Sequence, residues 1–373
     1  MSMSTQQLSR RIAVALASAA LFVASGFSLA APATDASSAS SGASSPATTR
    51  SVRFGYGVRV VGPDAAAYTS VPIKEGFWNS QGLEVSIQPL NAGPAFQLLA
   101  QGQLDFLTGG SAGGMPLVEK GAKIIGVAVG YNLNIFYPAV LADSDITSLK
   151  QIKGKSVGLF TPAGAAVLML DAVLHEYGLT KADLKSVVAV GTGAPAVNAL
   201  KSKQIDIYFG YQGAYNTIEA TTDVKFRRFN DNPLVKKTAF ASPCIWTREE
   251  LVKNDPQLVL GFLRGIVMGI KFSKANPTAA IKDHFALFPH TKPRGTDAQA
   301  IKQGVDSLTV NLVTLSDPYG TAEPGSVEAT ARIMQQAGVI KKVLPASEYF
   351  VSTFIAPANQ IDMDLVNKAL AGK

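Results

Sequence analysis

The segment GPAFQLLAQGQLDFLTGG (93–110) occurs a second time, in recognisable form, as APAVNALKSKQIDIYFGY (194–211). A shift of 101 positions overlays the two without a gap. Pro94 then falls on Pro195, Ala95 on Ala196, Leu99 on Leu200, Gln103 on Gln204, Asp105 on Asp206 and Gly109 on Gly210. Each copy has the same physical grammar. A Pro stands in the first turn of a helix, where a missing N–H is harmless. Apolar residues follow at helical spacing, then a polar turn, then a short apolar run bounded by Gly that reads as a buried strand. A helix feeding a buried strand is half of a βαβ unit, so the duplication predicts two similar α/β lobes.

The ends of the chain read differently. Arg10 and Arg11 precede an apolar, Ala-rich run over 12–27, and Ser28-Leu29-Ala30 supplies small residues for cleavage. This predicts a secretory signal peptide over 1–30, too short in its apolar part for a membrane span of about 20 residues. Residues 31–50 are Ala, Ser, Thr and Pro with almost no large apolar side chain, the composition of a flexible linker. The only cysteine is Cys244, so no internal disulfide forms and no cysteine stands at the cleavage site to carry a lipid. Cys244 lies in the apolar run ASPCIW and reads as a buried small hydrophobe. The net charge of +7, less Arg10 and Arg11, leaves +5 with no basic run, which argues against nucleic-acid binding.

Along the chain, a strand is predicted over 51–61 and one helix over AAAYTSVPIKEGFW. Asp255, Pro256 and Pro277 bracket a long amphipathic helix between them. Further helices are predicted at PTAAIKDHFALF, DAQAIKQGVDSLTVNLV and EPGSVEATARIMQQAGV.

Several enzyme signatures fail. Gly154-Lys155-Ser156 has Leu149 where a phosphate loop needs its first Gly, and Gly55-Tyr56-Gly57 is followed by Val60 where a dinucleotide fingerprint needs its third. His175, His284 and His290 have no metal-pair spacing. No Gly-x-Ser-x-Gly elbow occurs. No catalytic residue, metal or cofactor is expected.

The order of pieces resembles a known family. KEGFW (74–78) followed by GLEV (82–85), GPAFQLLAQGQLDFLTGGSAG (93–113) and LKQIKGKSVGLFTPAGAA (149–166) carry the resemblance, which runs in order from Val52 to Val343. It is to the periplasmic solute-binding proteins of ABC importers, in the sulfonate, nitrate and taurine (SsuA/THI5-like, NMT1) group that also includes thiamine-precursor binders. The resemblance implies an α/β, two-lobed periplasmic-binding-protein fold of type II, with two crossing strands and a central cleft. Lobe one would take 51–136, lobe two 137–240, and a return to lobe one with C-terminal helices 241–373. Crossings near 132–140 and 240–247 would carry hinges at 136–140 and 242–246. The implied function is capture of a small, anionic, sulfonate- or nitrate-like solute for an ABC permease and ATPase, by a periplasmic monomer without a lipid anchor. A pyrimidine precursor or other heteroaromatic is the alternative ligand, and a sensor for a membrane kinase the alternative role. The fungal pyrimidine-synthesising relatives need a Cys-rich motif that one cysteine cannot supply.

The same resemblance places the ligand at two turns that face each other, Gly110, Ser111 and Ala112 in lobe one and Thr161, Gly164 and Ala165 in lobe two. A helix start offers free N–H groups and the positive end of a dipole, and small residues let a ligand approach the backbone. Each turn alone reads equally as a helix cap. Tyr211 and Gln212 follow the second repeat, Tyr211 as a ring to stack on the ligand or as ordinary core. Relatives commonly carry an acid and Pro where Gln212 and Gly213 stand here, which implies that no carboxylate faces a ligand ammonium. Tyr131 and Asn132 at the first crossing and Tyr56 after the first strand are further candidates. Asp64 reads as a turn former or as a ligand contact.

Overall fold

In the computed structural model the described residues are 49–131, 135–162, 165–237, 241 and 244–373. The expected signal peptide and all but the end of the linker lie outside them, as do Asn132, Gly164, Ser242 and Pro243. The chain opens with β1 (Arg50–Tyr56), a 3-10 segment (Pro63–Tyr68), α1 (Ser70–Lys74), β2 (Leu83–Pro89), α2 (Ala92–Ala100), β3 (Phe106–Gly109), α3 (Ser111–Glu119) and β4 (Ile124–Tyr131). Next come β5 (Phe136–Leu141), β6 (Ser156–Leu159), α4 (Ala165–Glu176), β7 (Ser186–Ala189), α5 (Ala194–Lys201), β8 (Ile207–Tyr211), α6 (Gln212–Thr221), β9 (Phe226–Arg228) and α7 (Pro233–Lys237). The remainder is β10 (Cys244–Arg248), α8 (Glu249–Asn254), α9 (Pro256–Ala275), α10 (Pro277–Leu287), α11 (Asp297–Leu312), β11 (Leu315–Gly320), α12 (Ser326–Gln336), α13 (Ala346–Tyr349), α14 (Ile355–Asn359) and α15 (Met363–Ala371).

Two sheets result, ordered β11-β4-β10-β3-β1-β2 and β7-β6-β8-β5-β9. The repeat governs both. β1 lies parallel between β2 and β3, and β6 lies parallel between β7 and β8. The duplicated aspartates do the same job in each lobe. The Arg53 N–H donates to Asp105 Oδ2 at 2.9 Å while the Asp105 N–H donates to the Arg53 carbonyl at 2.9 Å. The Ser156 N–H donates to Asp206 Oδ2 at 2.7 Å and the Asp206 N–H returns to the Ser156 carbonyl at 2.8 Å. Each aspartate therefore locks the entry of the repeat's strand to the leading strand of its sheet. Next to β3 and β8 each sheet takes an antiparallel strand that arrives from the other lobe, β10 after β9 and β5 after β4. These are the two crossings.

Three local expectations change. β1 ends at Tyr56 rather than Val61, because the Val58 N–H donates to the Tyr56 carbonyl at 2.8 Å and closes a tight turn at Gly57. The single helix predicted after it divides into the 3-10 segment and α1 at Thr69, whose φ of −131° and ψ of −83° leave the helical region. Residues 136–140 are part of β5, bonded on one side to β8 and on the other to β9. A pivot inside that strand would break ladder bonds, so it is a poor hinge. Asp255 does cap α9 as expected, accepting from the Leu258 N–H at 3.1 Å.

The C-terminal helices close over lobe one, and the last residue joins a charged cluster there. Lys373 Nζ lies 2.5 Å from Glu75 Oε1 and 3.2 Å from Asp283 Oδ1, with both carboxylate side chains 7% exposed. Burial, then the adjoining Glu75, push the Asp283 carboxyl up to about 6. A carboxyl raised on folding binds its proton more tightly in the native state. Its contribution is therefore fully present below the ordinary carboxyl range and is lost as pH rises through about 6. We expect the wild type to gain about 1 kcal/mol between pH 7 and pH 5 relative to Asp283→Asn, in which this group no longer titrates. Urea unfolding at the two pH values measures it, and equal pH dependence in both proteins would refute it.

Candidate functional site

The C-terminal ends of the parallel strands of both sheets carry the residues that meet between the lobes, where open α/β sheets place their ligands. Tyr56 ends β1. After the turn, Gly62 and Pro63 start the 3-10 segment, and Asp64 is its second residue. The Asp64 carboxylate folds back over Gly62, where a Cβ would stand 2.5 Å from Oδ1. On its other side lies Gly213 in the first turn of α6, where a Cβ would stand 3.3 Å from Asp64 Oδ2 and 3.1 Å from the Tyr211 ring. Two glycines, one from each lobe, thus leave room for one carboxylate.

Hydroxyls and rings surround it. The Tyr56 and Tyr68 rings stack at 6.3 Å. The Tyr68 and Tyr131 hydroxyls are 3.5 Å apart, and Tyr131 donates to Asn311 Oδ1 at 2.7 Å. Asn311 also favours the ionised form of the Asp64 carboxylate. From lobe two, the Tyr211 ring meets Phe160 edge-on at 5.3 Å and Phe136 at 6.4 Å, while Phe136 and Phe160 stack at 5.8 Å. Burial holds the Asp64 carboxyl above its ordinary range, against the polar groups of its own turn and of Asn311, which favour the ionised form. Burial, then the Asp64 charge, raise Tyr211. Burial is also the first cause at Tyr56, Tyr68 and Tyr131, and all three sense Asp64. The four tyrosines are therefore neutral at any physiological pH. Flat rings and one buried carboxylate can hold a planar solute that presents N–H groups or positive charge.

Position 212 lacks an acid, yet the region does not lack a carboxylate. Gln212 is indeed no acid, but Asp64 reaches the same region from the opposite lobe. Gln212 itself opens α6, its backbone N–H donating to the Ile135 carbonyl at 2.8 Å. Tyr131 is 4% exposed and gives its hydroxyl proton to Asn311, so it supports the site rather than presenting a free hydroxyl. Ser111 is 2% exposed, and its hydroxyl donates to the Ala241 carbonyl and lies 3.6 Å from Cys244 Sγ. That hydroxyl is built into the core. What the turn keeps is its backbone: Gly110 is the N-cap of α3, no side chain caps it, and Ala112 follows half-buried. Thr161 is half-buried after β6, and Ala165 opens α4. Gly164 and Asn132 fall outside the described residues.

Asn311 and Phe160 were not expected. Asn311 sits in the largely apolar run LTVNLV near the end of α11 with no motif around it. Phe160 is the residue before Thr161, and its ring next to a ligand turn was the available signal. Burial pushes the Cys244 thiol up to about 12, so it is protonated and no nucleophile. His284 is pushed down to about 4 by burial and bonds Ser70 and Thr291 at 3.1 and 3.2 Å. Among the described residues no group of three or more His, Cys, Asp or Glu could hold a metal, and no helix is long and apolar enough to cross a membrane.

A family profile described as NMT1/THI5 like matches residues 67–280. The 4-amino-5-hydroxymethyl-2-methylpyrimidine phosphate synthase THI11 of Saccharomyces cerevisiae is 21% identical over 231 residues, 58% of this chain and 65% of that protein. The chain therefore spans less than two thirds of the length of that relative. The periplasmic aliphatic sulphonate binding protein SsuA of Escherichia coli superposes with a TM-score of 0.59 at 15% identity, over 83% of this chain and 93% of that one. The alkanesulfonate-binding protein SsuA of Xanthomonas axonopodis pv. citri, bound to MOPS, superposes with a TM-score of 0.59 at 15% identity, over 86% and 100%. Likeness at this identity is one of fold, the two-lobed periplasmic-binding-protein architecture.

Proposed function

Since this chain belongs to the NMT1/THI5-like family, we propose that it is the solute-binding subunit of an ABC importer and closes its two lobes over a small planar solute bearing N–H groups or positive charge. The observation that carries the reading is the Asp64 carboxylate, set between Gly62 of lobe one and Gly213 of lobe two and ringed by Tyr56, Tyr68, Tyr131 and Tyr211. A heteroaromatic amine answers both features, with its ring against Tyr211 and Phe160 and its N–H groups on Asp64. The protein acts in the periplasm, as a monomer, handing its solute to a permease and ATPase. It performs no chemistry on the solute. The named synthase among its relatives shares 21% identity, and the one cysteine here is buried and protonated.

A second reading is favoured by the uncapped N terminus of α3, a place for an anionic head such as the sulfonates named for the two SsuA proteins. A thermal-shift panel on the mature protein separates the two. We expect 4-aminopyrimidine and benzylamine to raise the melting temperature, with about 2.7 kcal/mol of apparent stabilisation at a hundredfold excess over Kd. Stabilisation by benzenesulfonate and nitrate alone would replace the proposal with the anionic reading.

A further inference from the structure

We infer that Gly213 sets how closely the two lobes approach: the Asp64 carboxylate of lobe one takes the place of its missing side chain, so that a side chain at 213 holds the lobes apart. This rests on the proposed function only in that the lobes move; the identity of the solute does not enter.

Gly213 is the second residue of α6, after the N-cap Tyr211. It does not have the positive φ that marks many glycines of this chain, so its backbone conformation is open to any residue. A helix also gains from Ala over Gly. Backbone shape therefore does not ask for glycine here, and the reason lies in what a side chain would meet. Within lobe two that is the Tyr211 ring, 3.1 Å from a Cβ at 213. From lobe one it is Asp64 Oδ2, 3.3 Å from the same Cβ.

The carboxylate has little freedom to move back. Its other oxygen already lies over Gly62, where a Cβ would stand 2.5 Å from Oδ1. Asp64 is thus enclosed between two glycine backbones, one from each lobe. Beside it, α11 of lobe one packs along the 3-10 segment that carries Asp64 and against α6. Packed groups of this kind do not compress, so added volume at 213 is relieved by separation of the lobes. The same fit bears on the solute. An atom inserted between Asp64 and Gly213 would need about 3.5–4.0 Å to each side. The seat therefore admits no solute group on the α6 side of the carboxylate while the lobes stand this close.

The test is the interlobe distance in the full chain without solute, read by double electron–electron resonance. Spin labels go on Asn91→Cys and Thr192→Cys, two exposed positions just after β2 and β7, and the native Cys244 is buried and stays unlabelled. The otherwise wild-type chain should populate the short distance of this structure. Gly213→Val should lower the ratio of short to long distances about tenfold, and Gly213→Ala should lower it by less without lowering the melting temperature. Asp64→Ala combined with Gly213→Val should restore the short distance, because the group that the new side chain meets is gone. A loss that persists in this double variant traces to the Tyr211 ring within lobe two and overturns the inference. Unchanged distances in Gly213→Val, or no short distance before any change at 213, overturn it as well. Should Gly213→Val fail to fold, an unmoved ratio in Gly213→Ala does the same. Because no solute is present, a solute panel without a binder would sink the function proposed above and leave these distances untouched.

Discussion

Gly269→Ala should cost the protein about 3 kcal/mol, the upper part of the usual range for overpacking. Gly261, Gly265 and Gly269 recur every four residues along α9 and so share one face of the helix. That face lies directly against the start of lobe one. A Cβ at 269 would stand 2.2 Å from the Ala67 carbonyl oxygen and 2.8 Å from the Pro72 ring. Backbone and a proline ring cannot rotate aside, so helix and 3-10 segment would have to separate. At 265 the obstacle is Trp78, 2.1 Å away, whose indole N–H donates to the Phe262 carbonyl at 2.9 Å and whose ring stacks on Phe262 at 5.4 Å. Gly261 is the internal control. Its nearest neighbour is the Gln81 Cβ at 3.3 Å, and removing a helical Gly returns about 1 kcal/mol of propensity. Urea unfolding should therefore rank Gly261→Ala at or above the wild type and Gly269→Ala far below it. Equal stability of the two variants would mean that the close approach of α9 is not a constraint.

Asp64→Asn should weaken binding of an aminopyrimidine or benzylamine about tenfold to a hundredfold, the worth of a hydrogen bond to a charged group. The unliganded variant should unfold no earlier than the wild type, because burial already disfavours the charged form of Asp64. Affinity at the wild-type site should also fall in acid. The carboxyl lies above its ordinary range, so it takes up a proton at a higher pH than an exposed aspartate and then no longer attracts a cation. Calorimetry on both proteins at two pH values checks this. Wild-type affinity in Asp64→Asn would remove Asp64 from the site and return the ligand to the α3 turn.

Much of the architecture is written in short stretches of chain. The duplicated Pro, Asp and Gly positions foretold two α/β halves, and Asp105 and Asp206 turned out to make the same pair of backbone bonds in each. Asp255 and Pro256 marked the start of α9 because an N-cap and a first-turn Pro act within three residues. Where local reading failed, a distant group intervened. The Ala241 carbonyl took the Ser111 hydroxyl. Nothing beside Gly261, Gly265 or Gly269 in the chain announces Trp78 or Ala67 as its neighbour.

The site divides along the same line. From the sequence, the family resemblance pointed to turns after parallel strands, rich in small residues, as the candidate site. Only the tertiary structure decided which chemistry those turns present. Asp64, Tyr131, Tyr211, Gly213 and Asn311 come from four elements and the head of a fifth, separated by up to 247 positions in the chain. They converge because two sheets exchange strands and bring the C-terminal ends of their parallel strands together. Whether a carboxylate there turns a backbone or faces a solute depends on what stands across from it. For Asp64 that is the missing side chain of Gly213.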